Sequence, residues 1–229
     1  MSAHSFVLSS YVMADAKTVR AGRRAAPLPP QERREALIHA AIEVIRERHT
    51  LPTTRQIAEA AGVAEGTIFR VFANKDAFFD AVLDRTFDSR ALNEGLEKID
   101  GDAGMESVMI DLVRLLQARF QEIFDIMGAF SMVGPPERFR DPERQRRQEA
   151  EVGSCVLRLL DPYADQLRLP PREVARLLHL LTFSGSHKHI NDGRVLQPEE
   201  IVQTVLYGVS APAGNRPAHL YGAGARESN

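Results

Sequence analysis

Between Pro52 and Asn74, helix-start and helix-stop signals follow one another so closely that only two very short helices fit. Thr53-Thr54-Arg55-Gln56 reads as a capping box. In it the Thr53 hydroxyl accepts from the Gln56 N–H, and the Gln56 side chain reaches back to the Thr53 N–H. Ile57, Ala58 and Ala61 then face inward, and Gly62 supplies the left-handed conformation that a tight turn between helices requires. A second short helix over about 65–71 has Ile68, Phe69 and Phe72 as its apolar contacts. Asn74 caps a longer helix from Lys75, with Phe78, Phe79, Val82, Leu83 and Phe87 inward. Upstream, Leu37, Ile38, Ala41, Ile42 and Ile45 form one face of a helix that begins near Gln31 and fades at Arg48-His49-Thr50. A capped short helix, a glycine turn and a second short helix make a helix-turn-helix. Such a unit lays its second helix in the major groove of DNA, N-terminal residues nearest the base edges. Glu65, Gly66, Thr67, Arg70 and Val71 are left outward for that task.

The remaining chain is read as helical too, with no strand pattern and no internal repeat. Gly101–Gly104 breaks it, and Met105–Phe130 follows with apolar residues over an arc of roughly 180°, wider than a surface helix presents. That predicts a central helix buried on two sides. Gly134-Pro135-Pro136 and Asp141-Pro142 mark a loop, and a helix runs from Glu143 to about Leu160. Pro170-Pro171 opens a further helix, and Pro198 followed by Glu199-Glu200 opens the last, which Gly208 stops. The expected fold is therefore all-α, an N-terminal three-helix helix-turn-helix unit plus a larger C-terminal helical domain. The expected divisions are a flexible basic arm over 1–30, the helix-turn-helix domain over 31–76, the larger domain over 77–210 and a polar tail over 211–229.

Charge and cysteine content narrow the function classes. The net charge of −2 hides a gradient: residues 1–30 hold Lys17, Arg20, Arg23 and Arg24 against Asp15, while the body is mildly acidic. A basic arm on an acidic body permits nucleic acid as partner. The single cysteine, Cys155, excludes an internal disulfide framework and a multi-cysteine zinc site. No apolar run approaches the roughly 20 residues of a membrane helix. The short apolar stretch at the start lacks a basic residue ahead of it, so a cytoplasmic, membrane-free location is expected.

The order Ile57-Ala58, Ala61-Gly62-Val63, Gly66-Thr67-Ile68-Phe69, Phe72 and Asn74-Lys75 resembles the DNA-binding domain of TetR-type transcriptional regulators. The motif covers about 40 residues between Leu37 and Leu83; beyond it the likeness is one of architecture only. The resemblance implies a dimer on double-stranded operator DNA, with the larger domain dimerising and holding a small effector. Three positions depart from the family pattern. Ala64 stands where a Ser or Thr usually caps the recognition helix, forfeiting about 1 kcal/mol. Glu65 stands where a basic residue is common; it repels phosphate but suits a cytosine amino group. Phe69 replaces a Tyr and lacks its hydroxyl. The arm, through Arg20, Arg23 and Arg24, is expected to compensate by phosphate or minor-groove contact. The candidate DNA contacts are thus Thr53, Thr54, Arg55, Glu65, Gly66, Thr67, Phe69, Arg70 and Lys75, with Arg23 and Arg24.

For the effector, Phe120, Phe124, Met127, Phe130 and Met132 form an aromatic and methionine cluster, read either as core or as one wall of an adaptable apolar pocket. The Gly134–Pro142 loop beside it is the expected lid. The homodimer is expected through helices at about 172–188 and 198–208, by way of Val174, Leu178, Leu181, Val202, Val205 and Leu206. The competing reading packs both faces onto the central helix. No cofactor, metal or catalytic residue is assigned. His179, His187 and His189 lack a ligand spacing that one helix can present, and Ser184 and Ser186 lack a nucleophile-elbow frame and an orienting acid. The alternatives to a repressor released by a small apolar effector are a helical scaffold with a degenerate DNA-binding domain and, behind it, an all-helical enzyme.

Overall fold

The computed structural model describes residues 29–188 and 190–208. Among these there are helices and turns and no strand. In chain order the α-helices are α1 (Pro30–Arg48), α2 (Thr54–Ala60), α3 (Ile68–Val71), α4 (Lys75–Thr86), α5 (Arg90–Glu97), α6 (Met105–Ala129), α7 (Pro142–Leu160), α8 (Pro171–Ser186) and α9 (Pro198–Tyr207).

Two apolar cores organise them. In the first, Leu37, Ile38 and Ile45 of α1 meet Ile57 of α2, Ile68 of α3 and Phe78 of α4, all essentially without solvent contact. Phe72 and Phe79 flank Phe78 edge to face, at 4.9 and 5.3 Å between ring centroids, an arrangement that adds to their burial. This core does not close at residue 76: the whole inner face of α4 belongs to it, and so do Ile126 of α6 and Phe139. In the second, Val108, Met109, Leu112, Val113 and Leu116 of α6 pack against Leu96, Leu159, Leu160, Val174, Leu178, Ile201 and Val202. α6 is therefore the spine expected from its wide apolar arc. Its N-terminal two-thirds fill the body, and its C-terminal end enters the core of the helix-turn-helix unit.

One helix was not anticipated. The helix beginning at Lys75 ends at Thr86, and α5 starts after a break at Phe87–Ser89. The Asp88 carboxylate accepts from the Arg90 N–H at 2.9 Å and from Arg90 Nε at 2.7 Å. The Arg90 hydrogen bond, ahead of the opposing desolvation, holds the Asp88 carboxyl below the usual carboxylate range. From α6, Arg119 donates to the Asp88 carbonyl at 2.9 Å, so the break is fixed by a side chain 31 positions away. Asp88-Ser89 is a helix-start signal in the sequence, but α5 then depends on Gly95, over whose Cα Leu115 closes tightly.

Candidate nucleic-acid interface

The helix-turn-helix is built as its residue pattern requires. Gln56 N–H donates to the Thr53 hydroxyl at 3.3 Å, and Thr53 N–H donates to Gln56 Oε1 at 2.9 Å, completing the capping box of α2. Gly62 takes φ of +65°, and Val63 N–H returns to the Ala58 carbonyl at 2.9 Å, which closes the turn. The expected second helix over 65–71 is present in two parts: a 3-10 turn over Glu65–Thr67, then one α-turn, Ile68–Val71. Ala64 offers no side-chain cap, and the tight first turn accompanies that absence. Ile68 and Phe72 point inward, at 0% and 5% exposure.

Two residues differ from the orientation their spacing predicts. Phe69 is not an inward contact: it is 51% exposed, because Ile68 and Phe72 already fill the space against α1 and α4. Val71, read as outward, packs partly onto the first core.

The outward surface carries the remaining candidates. Glu65, Gly66, Phe69 and Arg70 are exposed, and Thr67 is half-buried beside them. A Cβ at Gly66 would meet nothing within 4 Å, so internal packing does not demand this glycine and its face is open. Thr54 donates to Glu65 Oε1 at 2.5 Å, linking α2 to the recognition segment. Arg55 reaches Glu59 at 3.1 Å along its own helix and stays 79% exposed at the side chain. Asn74 accepts from the Ala77 N–H at 2.8 Å, and Lys75, the first residue of α4, sets its ammonium 5.5 Å from the Phe79 ring centroid. Arg23 and Arg24 lie outside the described residues.

These positions coincide with a known domain. The sequence model described as "Bacterial regulatory proteins, tetR family" matches residues 37–82, from the buried face of α1 to the inner face of α4. Over those residues the chain is similar to TetR-family regulators. Solved structures share the fold of this chain over both of its parts. A TetR/AcrR-family regulator from Thermobifida fusca is 21% identical, with a TM-score of 0.53 over 79% of this chain and 100% of that one. The TetR-like regulator LfrR from Mycobacterium smegmatis, solved in complex with proflavine, is 21% identical, with a TM-score of 0.52 over 80% and 100%. A TetR regulator from Streptomyces coelicolor is 18% identical, with a TM-score of 0.52 over 76% and 97%.

In the body of the chain, the five-residue aromatic and methionine wall is divided. Phe130 turns to Phe79, at 5.5 Å between centroids, and packs with the first core; it is not part of a pocket. The reason is that Phe130, still bonded through its N–H to the Ile126 carbonyl, lies on the Ile126 side of α6, and that side faces the first core. Phe120 interlocks edge to face with His179 and Phe183, each at 5.3 Å, and lies parallel to Phe124 at 6.3 Å. It supports the pocket wall from behind. Phe124, Met127 and Met132 do line a groove, of about 470 Å³, shared with Asp125, His187 and Lys188.

The six residues assigned to dimer contact divide as well. Val174, Leu178 and Val202 are 4%, 0% and 0% exposed within a single chain, packed on α6, and so are core residues unavailable to a partner. Leu181, Val205 and Leu206 are half-buried at the edge of the same core. The apolar face that α8 leaves open is one step round: Leu180 at 48% and Phe183 at 41% exposure. Pattern reading found the strongest apolar stripe of each helix, and α6 claims that stripe first.

Ser186, one of the two serines considered as nucleophiles, is 2% exposed and donates to the Thr182 carbonyl at 2.6 Å. His189 lies outside the described residues. Among the described residues, no helix is long and apolar enough to cross a membrane.

Proposed function

We propose that two copies of this regulator bind a pseudo-palindromic operator, most simply as a repressor, and that a small, largely apolar effector in the body releases them. The observation that carries the proposal is the open face formed by Glu65, Gly66, Phe69 and Arg70, with Lys75 at the N-terminus of α4 beside it. One such face reads only a few base pairs, too few to choose among competing genomic sites. A two-fold pair doubles the contacts and predicts half-sites about one helical turn apart.

Leu180 and Phe183, with the half-buried Val205 and Leu206 of α9, support pairing through α8 and α9, the elements to which the family resemblance also points. The groove beside Phe124, Met127 and Met132 supports an effector, and the proflavine complex of M. smegmatis LfrR supports a small molecule as its class. In this reading the helices past 77 bind effector and partner, the basic arm with Arg23 and Arg24 follows the DNA backbone, and the protein works in the cytoplasm without cofactor, metal or catalysis.

The test is retention of sheared genomic DNA by the purified chain. Recovery of a pseudo-palindrome whose binding weakens steeply with salt is the expected result. No retained fragment at low salt would favour a helical scaffold.

A further inference from the structure

Phe69 is the largest apolar side chain that the helix-turn-helix leaves in water, while Ile68 beside it and Phe72 one turn on are buried. Its ring belongs to neither apolar core. Two neighbours share its face. Glu65 lies four residues back and Gly66 three back, spacings that set residues over one another on successive helical turns. Glu65 is exposed, and Thr54 holds its Oε1 at 2.5 Å, which leaves the other oxygen as an acceptor. At Gly66 a Cβ would meet nothing within 4 Å, so the space beside the ring is open to an approaching base edge.

A fixed carboxylate oxygen next to a bare phenyl ring is an acceptor beside an apolar surface. In the major groove that combination matches pyrimidines. Cytosine presents a donor amino group at C4, and the neighbouring C5 carries a methyl group in thymine and in 5-methylcytosine. A purine presents its N7 acceptor there, which suits neither a carboxylate nor a phenyl ring.

We propose that Phe69 packs on a C5-methyl group in the major groove, at or next to the cytosine whose amino group reaches Glu65. The recognition segment then reads a methyl group as well as an amine. The methyl belongs to thymine or to 5-methylcytosine, and in the second case binding responds to methylation of the operator. The inference rests on the DNA-binding reading above and names the base chemistry that the segment recognises. The phenyl ring has neither donor nor acceptor for a phosphate. Apolar wedges between base steps belong to minor-groove binders, and a recognition segment enters the major groove. Burying one methyl group is worth about fourfold in affinity per half-site.

The experiment uses the full chain and the strongest retained genomic fragment, with binding followed by fluorescence anisotropy. In one series deoxyuridine replaces each thymine in turn, which removes its methyl; in the other 5-methylcytosine replaces each cytosine. A deoxyuridine position that weakens wild-type binding about fourfold per half-site identifies thymine as the source. A 5-methylcytosine position that strengthens it by a similar factor identifies the methylated base. Phe69→Ala is expected to bind the responding duplex with and without the methyl equally well, at an unchanged melting temperature because the ring is exposed. Thr67→Ser, which removes the nearest other methyl on the segment, is expected to keep the full response. The responding position is expected at or next to the one that relaxes in Glu65→Ala. No responding position in either series, a response that survives Phe69→Ala, or one lost in Thr67→Ser overturns the assignment to Phe69. A response away from the Glu65 position overturns the pairing of the two residues. Wild-type binding to the unmodified fragment is scored first in the same samples, so failure of the DNA-binding reading itself shows separately.

Discussion

Thr54 donates its hydroxyl to Glu65 Oε1 at 2.5 Å, across the turn that separates α2 from the recognition segment. The acidic residue that departs from the usual basic one is thereby held in one place. A carboxylate fixed at the N-terminal end of a recognition segment accepts from a cytosine amino group at less entropic cost than a free one.

The first prediction follows from that bond. Glu65→Ala should relax operator preference at one base pair, and Thr54→Val should relax the same position to a smaller degree. Their effects should be coupled by about 0.5–3 kcal/mol in a double-mutant cycle on operator binding. Simple additivity would show that the two side chains act separately on DNA.

Arg70 and Lys75 should differ in kind. Lys75 stands at the start of α4, where a phosphate is favoured, and Lys75→Ala should weaken all DNA sequences alike and lower the salt slope by about 1. Arg70 lies on the exposed face of the recognition segment. If it reads guanine, Arg70→Ala should cost about 1–3 kcal/mol at one position only. Fluorescence anisotropy across a salt series and a panel of operator variants separates the two.

α8 carries two faces with opposite fates. Leu178→Ala should destabilise the folded chain by about 2–5 kcal/mol, read as a lower midpoint in urea, because it empties a fully enclosed site against α6. Leu180→Glu, at the more exposed position of that open face, should leave the fold intact and give a monomer by sedimentation, with weakened operator binding. A dimeric Leu180→Glu protein would move the interface elsewhere.

Histidine 179 makes stability depend on pH. Desolvation in its place against Phe120 holds the imidazole below its ordinary value of 6.5, outweighing the opposite pull of Glu149. The unfolded chain therefore takes up this proton more readily than the folded one. The contribution of His179 is intact above about pH 6.5 and is lost as the pH falls below it. His179→Phe, which retains the ring contact, should flatten the melting temperature between pH 7 and 5; an unchanged slope would assign that loss to other groups.

The DNA-binding unit was readable because its signals are local. Thr53, Gln56, Gly62 and Asn74 act on neighbours two to four residues away, and the apolar spacing of α1 and α4 needs only the helical repeat. The body was readable as helices but not as surfaces. Val174, Leu178 and Val202 have the composition of an interface and of a core alike, and nothing in their spacing says whether a stripe meets α6 of its own chain or a second copy. Phe130 escaped the pocket because it shares the Ile126 side of α6, which the first core claims.

What the sequence by itself determined is everything carried by short-range geometry: the all-helical class, the helix-turn-helix with its capped entry and glycine turn, and the outward placement of Glu65 and Arg70. The tertiary structure alone decided which contacts bridge distant segments. It brought Arg119 to the Asp88 carbonyl, set Phe124, Met127 and Met132 around one groove, and joined Asp125 to His49. The reason is that an apolar stripe or a charge specifies only that a partner must exist. Which partner it meets is set by how long helices cross, and that depends on the packing of the whole chain at once.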